Sequence, residues 1–183
     1  MNDYQQLLAQ GTESLARYER TGARDDLERA LAEYQLAPTA AQGAPRSPDV
    51  VAMVANLLCE RLVRFTCASA AAQAAAAVVA SIAALPAADL IRVRSLPELT
   101  AALMGRYDQD GAPAFLALAL DAARIETTVP DVSRERKSRA LQVLGNVLFS
   151  CTSATGDRRY VDEGLAAHQQ AGQVSARGLT TRG

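Results

Sequence analysis

The sequence lacks several residue types on which catalytic and metal sites commonly depend. Its 183 residues contain no tryptophan, and aromatic side chains make up only 4% of the chain. There is one histidine, and the three cysteines form no Cys-x-x-Cys pair. A single histidine and scattered thiols cannot complete the ligand set of a zinc centre. We therefore expect reduced cysteines, no metal, no cofactor and no enzymatic activity.

An excess of charge of one sign is also missing. The formal net charge is −1, and Lys137 is the only lysine. No overall field would attract nucleic acid or an anionic membrane. The first residues do not show the basic segment followed by an apolar segment that is typical of a signal peptide. The longest apolar stretch, at 69–85, is too short and too rich in alanine for a membrane span. We expect a cytoplasmic protein that contacts neither nucleic acid nor membrane.

What the sequence has in abundance is alanine, with 38 residues. Alanine is the strongest helix former, and its small side chain lets two helices approach closely. No long segment alternates apolar and polar residues as a strand would. The composition therefore predicts an all-α protein, and its arginine and alanine bias is typical of GC-rich, actinobacterial coding.

A short motif recurs along the chain. Thr21-Gly22 is repeated as Asp110-Gly111 and Thr155-Gly156, with a degenerate copy at Ala68-Ser69. The copies lie about 45 residues apart, a spacing that indicates a helical repeat. Large apolar residues precede each copy (Leu15, Leu62, Met104, Phe149), and small residues follow it (Ala30, Ala77, Ala119, Gly164).

The motif is best explained as a break between two helices. Glycine adopts the left-handed conformation that ends a helix, and acids such as Asp25, Asp26 and Asp157 favour the start of the next one. Each repeat is then one antiparallel helix pair. We predict a single repeat domain over 1–172 and a flexible tail over 173–183. Its units are expected at about 2–37, 49–85, 97–127 and 131–172.

The small and aromatic positions of these units resemble the tetratricopeptide repeat. The first unit carries the pattern at Gly11, Ala30, Tyr34 and Ala37, and the last unit carries it at Gly145, Gly164, His168 and Ala171; in the third unit, Glu126 breaks it. The units are longer than the family's 34 residues. In this respect they resemble the long repeats of actinobacterial proteins that often precede a CHAT protease domain. The resemblance implies a right-handed superhelical stack of about four helix pairs.

The resemblance also implies a protein-interaction module that holds a peptide or partner domain on its concave face. By helical phase, the groove candidates are Arg17, Asn56, Glu60, Arg64, Arg106 and Asn146. His168 falls in a packing column, and the basic run at 133–139 is expected to be a solvated first turn. One alternative is a regulatory or self-associating arm of a larger CHAT-type effector, with oligomers formed through the uncapped last unit. Another is an all-α enzyme or small-molecule binder.

Overall fold

The computed structural model describes residues 3–21, 23, 25–26, 29–30, 32–33, 48–62 and 68–176. Every regular element in these ranges is helical, as the composition predicted. The helices with defined bounds are α1 (Asp3–Thr21), α2 (Pro48–Arg61), α3 (Ala68–Ala83), α4 (Leu90–Asp110), α5 (Pro113–Thr127), α6 (Arg134–Thr155) and α7 (Arg158–Ala176). Contacts divide the chain into two compact units, Met1–Val54 and Ala55–Gly183, which are described separately. The single domain over 1–172 stays a prediction.

In the first unit, α1 buries one face that mixes polar and apolar residues. Gly11, Ser14 and Tyr18 are buried at three- and four-residue spacing, as one face of a helix requires. Ser14 donates a hydrogen bond to Glu33 Oε2 at 3.0 Å, across the break between the two helical segments. Ala30, the small residue predicted for this packing column, is fully buried.

In the second unit, α3 is a core helix, as expected for the alanine-rich stretch. Ala71, Ala75, Val78 and Ile82 are buried at helical spacing. The helix already begins at Ala68, so Ala68-Ser69 is not the turn that the repeat alignment placed there. The sequence signal failed at this copy because it has no glycine, and any break before it falls outside the described residues.

The two later helix pairs confirm the role of glycine. Gly111 after α4 and Gly156 after α6 both have left-handed backbone, with φ of 64° and 72°. Each glycine N–H donates to the carbonyl four residues earlier, on Tyr107 and Thr152, at 2.7 Å. These bonds satisfy carbonyls that the helix end would otherwise leave unpaired. In the chain order α4–α5 and α6–α7, consecutive helices pack against each other.

The threonine that precedes two of the glycines also has a structural function. Thr155 Oγ1 donates to Cys151 O at 2.8 Å and accepts from the Asp157 N–H at 3.2 Å. Thr21 Oγ1 makes the same pair of bonds, to Arg17 O at 2.9 Å and from the Ala23 N–H at 3.1 Å. The hydroxyl thus bridges the last turn of one helix to the chain that leaves it.

Two boundaries differ from the prediction. The third unit was expected to begin at 97, but α4 begins at Leu90, with Pro97 inside the helix. Asp89 caps it through a 2.8 Å bond from the Ile91 N–H. The helix α7 continues to Ala176, into the predicted tail, where Ser175 Oγ lies 2.9 Å from Ser138 Oγ. Residues 177–183 of that tail lie outside the described part of the chain.

Candidate interaction surface

The predicted groove residues fall into three groups. Asn56 and Asn146 are exposed on α2 and α6, as residues that meet a ligand must be. Arg64 and the side chain of Glu60 lie outside the described residues. Arg17 and Arg106 are engaged by their own chain, in ways that the sequence did not reveal. The assignment of the exposed asparagines to a binding groove stays a prediction.

Arg17 forms part of a polar network in the first unit. Its Nη1 lies 3.2 Å from Glu13 Oε1, and its Nη2 donates to Ser14 Oγ at 3.1 Å. Its Nε lies 3.3 Å from Asp26 Oδ1, close enough for an ion pair although not aligned as a hydrogen bond. The side chain is 36% exposed, so one edge still faces solvent.

Arg106 corrects the prediction, because its side chain is 4% exposed and cannot line an open groove. Its Nη1 donates to the Leu62 carbonyl at 2.8 Å, and its Nε pairs with Asp110 at 2.7 Å. The guanidinium also lies over the Phe115 ring, 5.6 Å from its centroid. A buried arginine needs such partners to offset the loss of water. Helical phase alone could not distinguish this structural arginine from an exposed one.

The small and aromatic residues of the last unit pack as the sequence predicted. The His168 ring stacks on Phe149, with 5.5 Å between the ring centroids. A Cβ atom added at Gly145 would lie 2.5 Å from His168 Nε2, and one added at Gly164 would lie 3.2 Å from Phe149 Cε1. Glycine is therefore required for the approach of α6 and α7, and His168 is a packing residue.

The same three positions, counted back from Gly111 and Gly156, are exposed on both α4 and α6. We call them together the open stripe: Arg94, Ala101 and Asp108 on α4, and Arg139, Asn146 and Ser153 on α6. Sequence reasoning found Asn146 but missed the two arginines. Their equivalent distance from the two glycines was the signal that would have identified them.

The outer face of α7 is more exposed to solvent than the equivalent face of α5. On α5, Leu116 and Leu120 are buried, at 3% and 6% exposure. The equivalent residues of α7 are Val161, which is half-buried, and Leu165, which is 49% exposed. Among the described residues, α5 packs against α3, α4 and α6, whereas α7 packs against α6. We call Val161, Leu165, His168 and Gly172 the α7 edge.

The outer face of α1 is polar where the equivalent face of α6 is apolar. Counted back from the Thr-Gly motifs, Ala140, Leu144, Val147 and Cys151 of α6 correspond to Gln6, Gln10, Glu13 and Arg17 of α1. On α6 these residues are buried or half-buried, whereas Gln6, Gln10 and Glu13 are exposed. The equivalent faces of α1 and α6 therefore differ in polarity.

The described titratable groups with shifted pKa values are not themselves members of the open stripe, although Arg139 of the stripe lies near one of them. Burial raises the pKa of Glu126, against the opposing effect of Arg136 and Arg139, and its Oε2 has no hydrogen-bond partner. Burial also raises the pKa of the Cys151 thiol. The hydrogen bond from Arg159 lowers the pKa of Asp157, which caps α7. In the described ranges, no three His, Cys, Asp or Glu residues are grouped as metal ligands.

Comparison with known proteins supports the fold. No family model matches the chain, and no curated protein matches it. Among solved structures, it is similar to the DHF58 filament, with a TM-score of 0.54 and 19% identity over 95% of this chain and 93% of that chain. The fold is that of a helical repeat protein.

Two further solved structures resemble the chain at lower TM-scores. For the de novo designed helical repeat protein DHR64 the TM-score is 0.46, with 18% identity over 95% of this chain and 93% of that one. For the DHF119 filament it is 0.47, with 21% identity over 98% and 96%. In the described part of the chain, every helix is too short or too polar to cross a lipid bilayer.

Proposed function

We propose that this chain is a non-catalytic interaction scaffold that holds a partner protein on the open stripe. The observation that supports the proposal is the match between α4 and α6. Each helix exposes residues at seven-residue spacing, beginning with an arginine, Arg94 or Arg139. A surface repeated in register suits an extended peptide or a helix of the partner.

The charges of the open stripe indicate how the partner binds. Arg94 and Arg139 occupy the N-terminal end of the stripe on their helices, and Asp108 lies at the C-terminal end of α4. Arginine binds carboxylates through paired, charge-assisted hydrogen bonds. We infer that acidic groups of the partner bind Arg94 and Arg139, with Asn146 bonding its backbone or side chains. The proposal keeps the predicted concave groove but replaces Arg106 with Arg94 and Arg139.

The proposal also includes the repeat family, the cellular location and the linked effector that the sequence suggested. The chain is a tetratricopeptide-like repeat of the long actinobacterial kind, cytoplasmic, without turnover, and linked to a CHAT-type effector. The small and aromatic packing of Gly145, Gly164 and His168 supports the first of these assignments, because the family uses such residues between its paired helices.

Site-specific photo-crosslinking in the source cell tests the scaffold proposal. A photoreactive residue replaces Asn146 on the open stripe or, as the control, Ala117, which is exposed on α5. We expect one discrete crosslinked partner from the Asn146 variant and none from the Ala117 variant. Equal labelling from both positions, or none from Asn146, would contradict the proposal.

Charge reversal tests the role of the arginines once the partner has been captured. The double variant Arg94→Glu with Arg139→Glu should weaken the complex about a hundredfold, since two charge-assisted contacts are lost. The double variant Lys137→Glu with Arg158→Glu makes the same change in net charge at exposed residues off the stripe. It should leave the affinity within about twofold, because distant exposed charges are screened.

A further inference from the structure

We infer that the α7 edge is the contact surface of a symmetric dimer, in which α7 of one copy packs antiparallel against α7 of a second copy. The inference is independent of the proposed function, because it needs no other protein. It begins from Leu165, which is 49% exposed, whereas the equivalent Leu120 is 6% exposed. The α7 edge is therefore the continuation of a face that is covered one unit earlier in the same chain.

One of the helices that pack against α5 is α6. One stripe of α6 has buried or half-buried residues at positions 140, 144, 147 and 151, and these are apolar or small. The α7 edge has the same four-, three- and four-residue spacing, at Val161, Leu165, His168 and Gly172. A second α7 therefore offers a stripe with the same spacing as one that this chain buries on α6.

The alternative of a head-to-tail stack is disfavoured by α1. A contact of the α7 edge with α1 of another copy would meet the face of α1 that carries Gln6, Gln10 and Glu13. Gln6, Gln10 and Glu13 on that face are exposed and polar. Burying them against Leu165 would remove their water without providing hydrogen-bond partners, which costs free energy. An isologous contact between two identical edges avoids this cost.

The distribution of charge and size on α7 favours the antiparallel orientation. Arg158, Arg159, Asp162 and Glu163 all lie in the N-terminal half of the helix, and no Asp, Glu, Lys or Arg follows in the described remainder. An antiparallel partner therefore places uncharged residues opposite them, and like charges do not meet. If the two-fold axis lies between Leu165 and His168, Val161 faces Gly172 of the second copy. The branched side chain of Val161 then fills the space that the glycine leaves, because glycine has no side chain.

Sedimentation of the full 183-residue chain tests the dimer. A concentration series from low micromolar to near-millimolar should show a rise from the monomer mass of 19.3 kDa to twice that value. A chain that stays monomeric across the whole series would overturn the inference. So would a mass that continues to grow past the dimer, because an isologous contact closes after two copies.

Gly172→Glu is the most specific variant for this test. A Cβ atom at Gly172 meets nothing within 4 Å in its own chain, so the substitution leaves the fold intact and favours the helix. In the dimer, the new side chain occupies the space for Val161, and we expect dimerisation to weaken about a hundredfold or more. Gly105→Glu is the matched control, since Gly105 also has nothing within 4 Å, and dimerisation should be unchanged.

Leu165→Asp gives a second and independent measurement. It should weaken dimerisation about a hundredfold, because two leucines leave the interface together. Leu90→Asp is the control, since Leu90 is 67% exposed and lies off the α7 edge. Dimerisation that survives both edge variants, or that falls equally with the two controls, would disprove the inference. Circular dichroism of each variant establishes that the comparison is between folded proteins.

Discussion

The first and the last helix pair of this chain fill equivalent positions with different chemistry. Where the last pair buries Leu148, the first pair buries the polar Ser14, and both side chains are 1% exposed. Ser14 bonds Glu33, whereas the position equivalent to Glu33 is the small residue Ala167. The last pair brings its helices together over glycine, and the first holds its segments by hydrogen bonds and ion pairs. The two pairs thus rely on different interactions, a polar network in the first and close packing over glycine in the last.

The largest expected effect lies at the glycine contact of the last pair. Gly145→Ala places a methyl group 2.5 Å from His168 Nε2, so the ring must leave its stack on Phe149 or the helices must separate. We expect a loss of about 1–3 kcal/mol in the free energy of unfolding, measured by urea denaturation.

The control for this variant is Gly105→Ala, which meets nothing within 4 Å and should stabilise α4. Removing the ring with His168→Ala should then reduce the cost of Gly145→Ala in the double variant. If the cost is the same with and without the ring, the contact with His168 is not its cause.

The next effect in size concerns the glycines that end α4 and α6. Gly111→Ala and Gly156→Ala force a side chain into left-handed backbone, with φ of 64° and 72°. Each should cost about 1–2 kcal/mol of unfolding free energy by thermal or urea denaturation. Gly172→Ala, in mid-helix, should instead increase stability. Equal effects at the three glycines would show that backbone conformation is not what selects glycine at the helix ends.

A smaller effect is expected from the polar network of the first pair. Ser14→Ala removes the bond to Glu33 and the bond from Arg17, and should lower the free energy of unfolding by about 0.5–1.5 kcal/mol. Ser153→Ala serves as the control, because that exposed hydroxyl bonds only the Phe149 carbonyl of its own helix. A stability gain in Ser14→Ala would mean that the network costs more than it contributes.

The smallest effect is a pH dependence that originates at Glu126. Its pKa in the folded chain is raised, so the group favours folding below its unfolded pKa, and this contribution is lost as pH rises through the folded value. At neutral pH, Glu126→Gln should therefore be more stable than the wild type.

The advantage of Glu126→Gln should shrink as the solution is acidified towards the pKa of an unfolded glutamate. Urea midpoints of both proteins at neutral and at mildly acidic pH provide the measurement. An advantage that is independent of pH would show that Glu126 does not titrate with folding.

Much of the fold followed from the sequence, because its signals are local. Helix breaks at Gly111 and Gly156 and the packing of Gly145 with His168 depend on residues close to each other on one helix pair. The break expected at Ala68-Ser69 was wrong, since without a glycine no local signal fixed its position. Pro97 was read as the start of a unit, but it lies inside α4, which continues through it although a proline there removes one backbone hydrogen bond of the helix.

The candidate surface was harder to predict, because the solvent exposure of a side chain depends on which helices pack beside it. Arg17 and Arg106 occupy equivalent positions, yet one is 36% exposed in a polar network and the other is 4% exposed over Phe115. The residue that faces them differs, Asp26 in one pair and Phe115 in the other. The packed structure shows which of two equivalent arginines remains at the surface.

Arg92, near the start of α4, couples the local unfolding of two helix ends in the second unit. Its guanidinium donates to the carbonyls of Ile82 and Ala83, the last residues of α3, at 3.1 Å and 2.8 Å. The end of one helix and the beginning of the next therefore cannot fray separately. Amide hydrogen exchange should record a single opening event for both termini, and replacing Arg92 should split it into two.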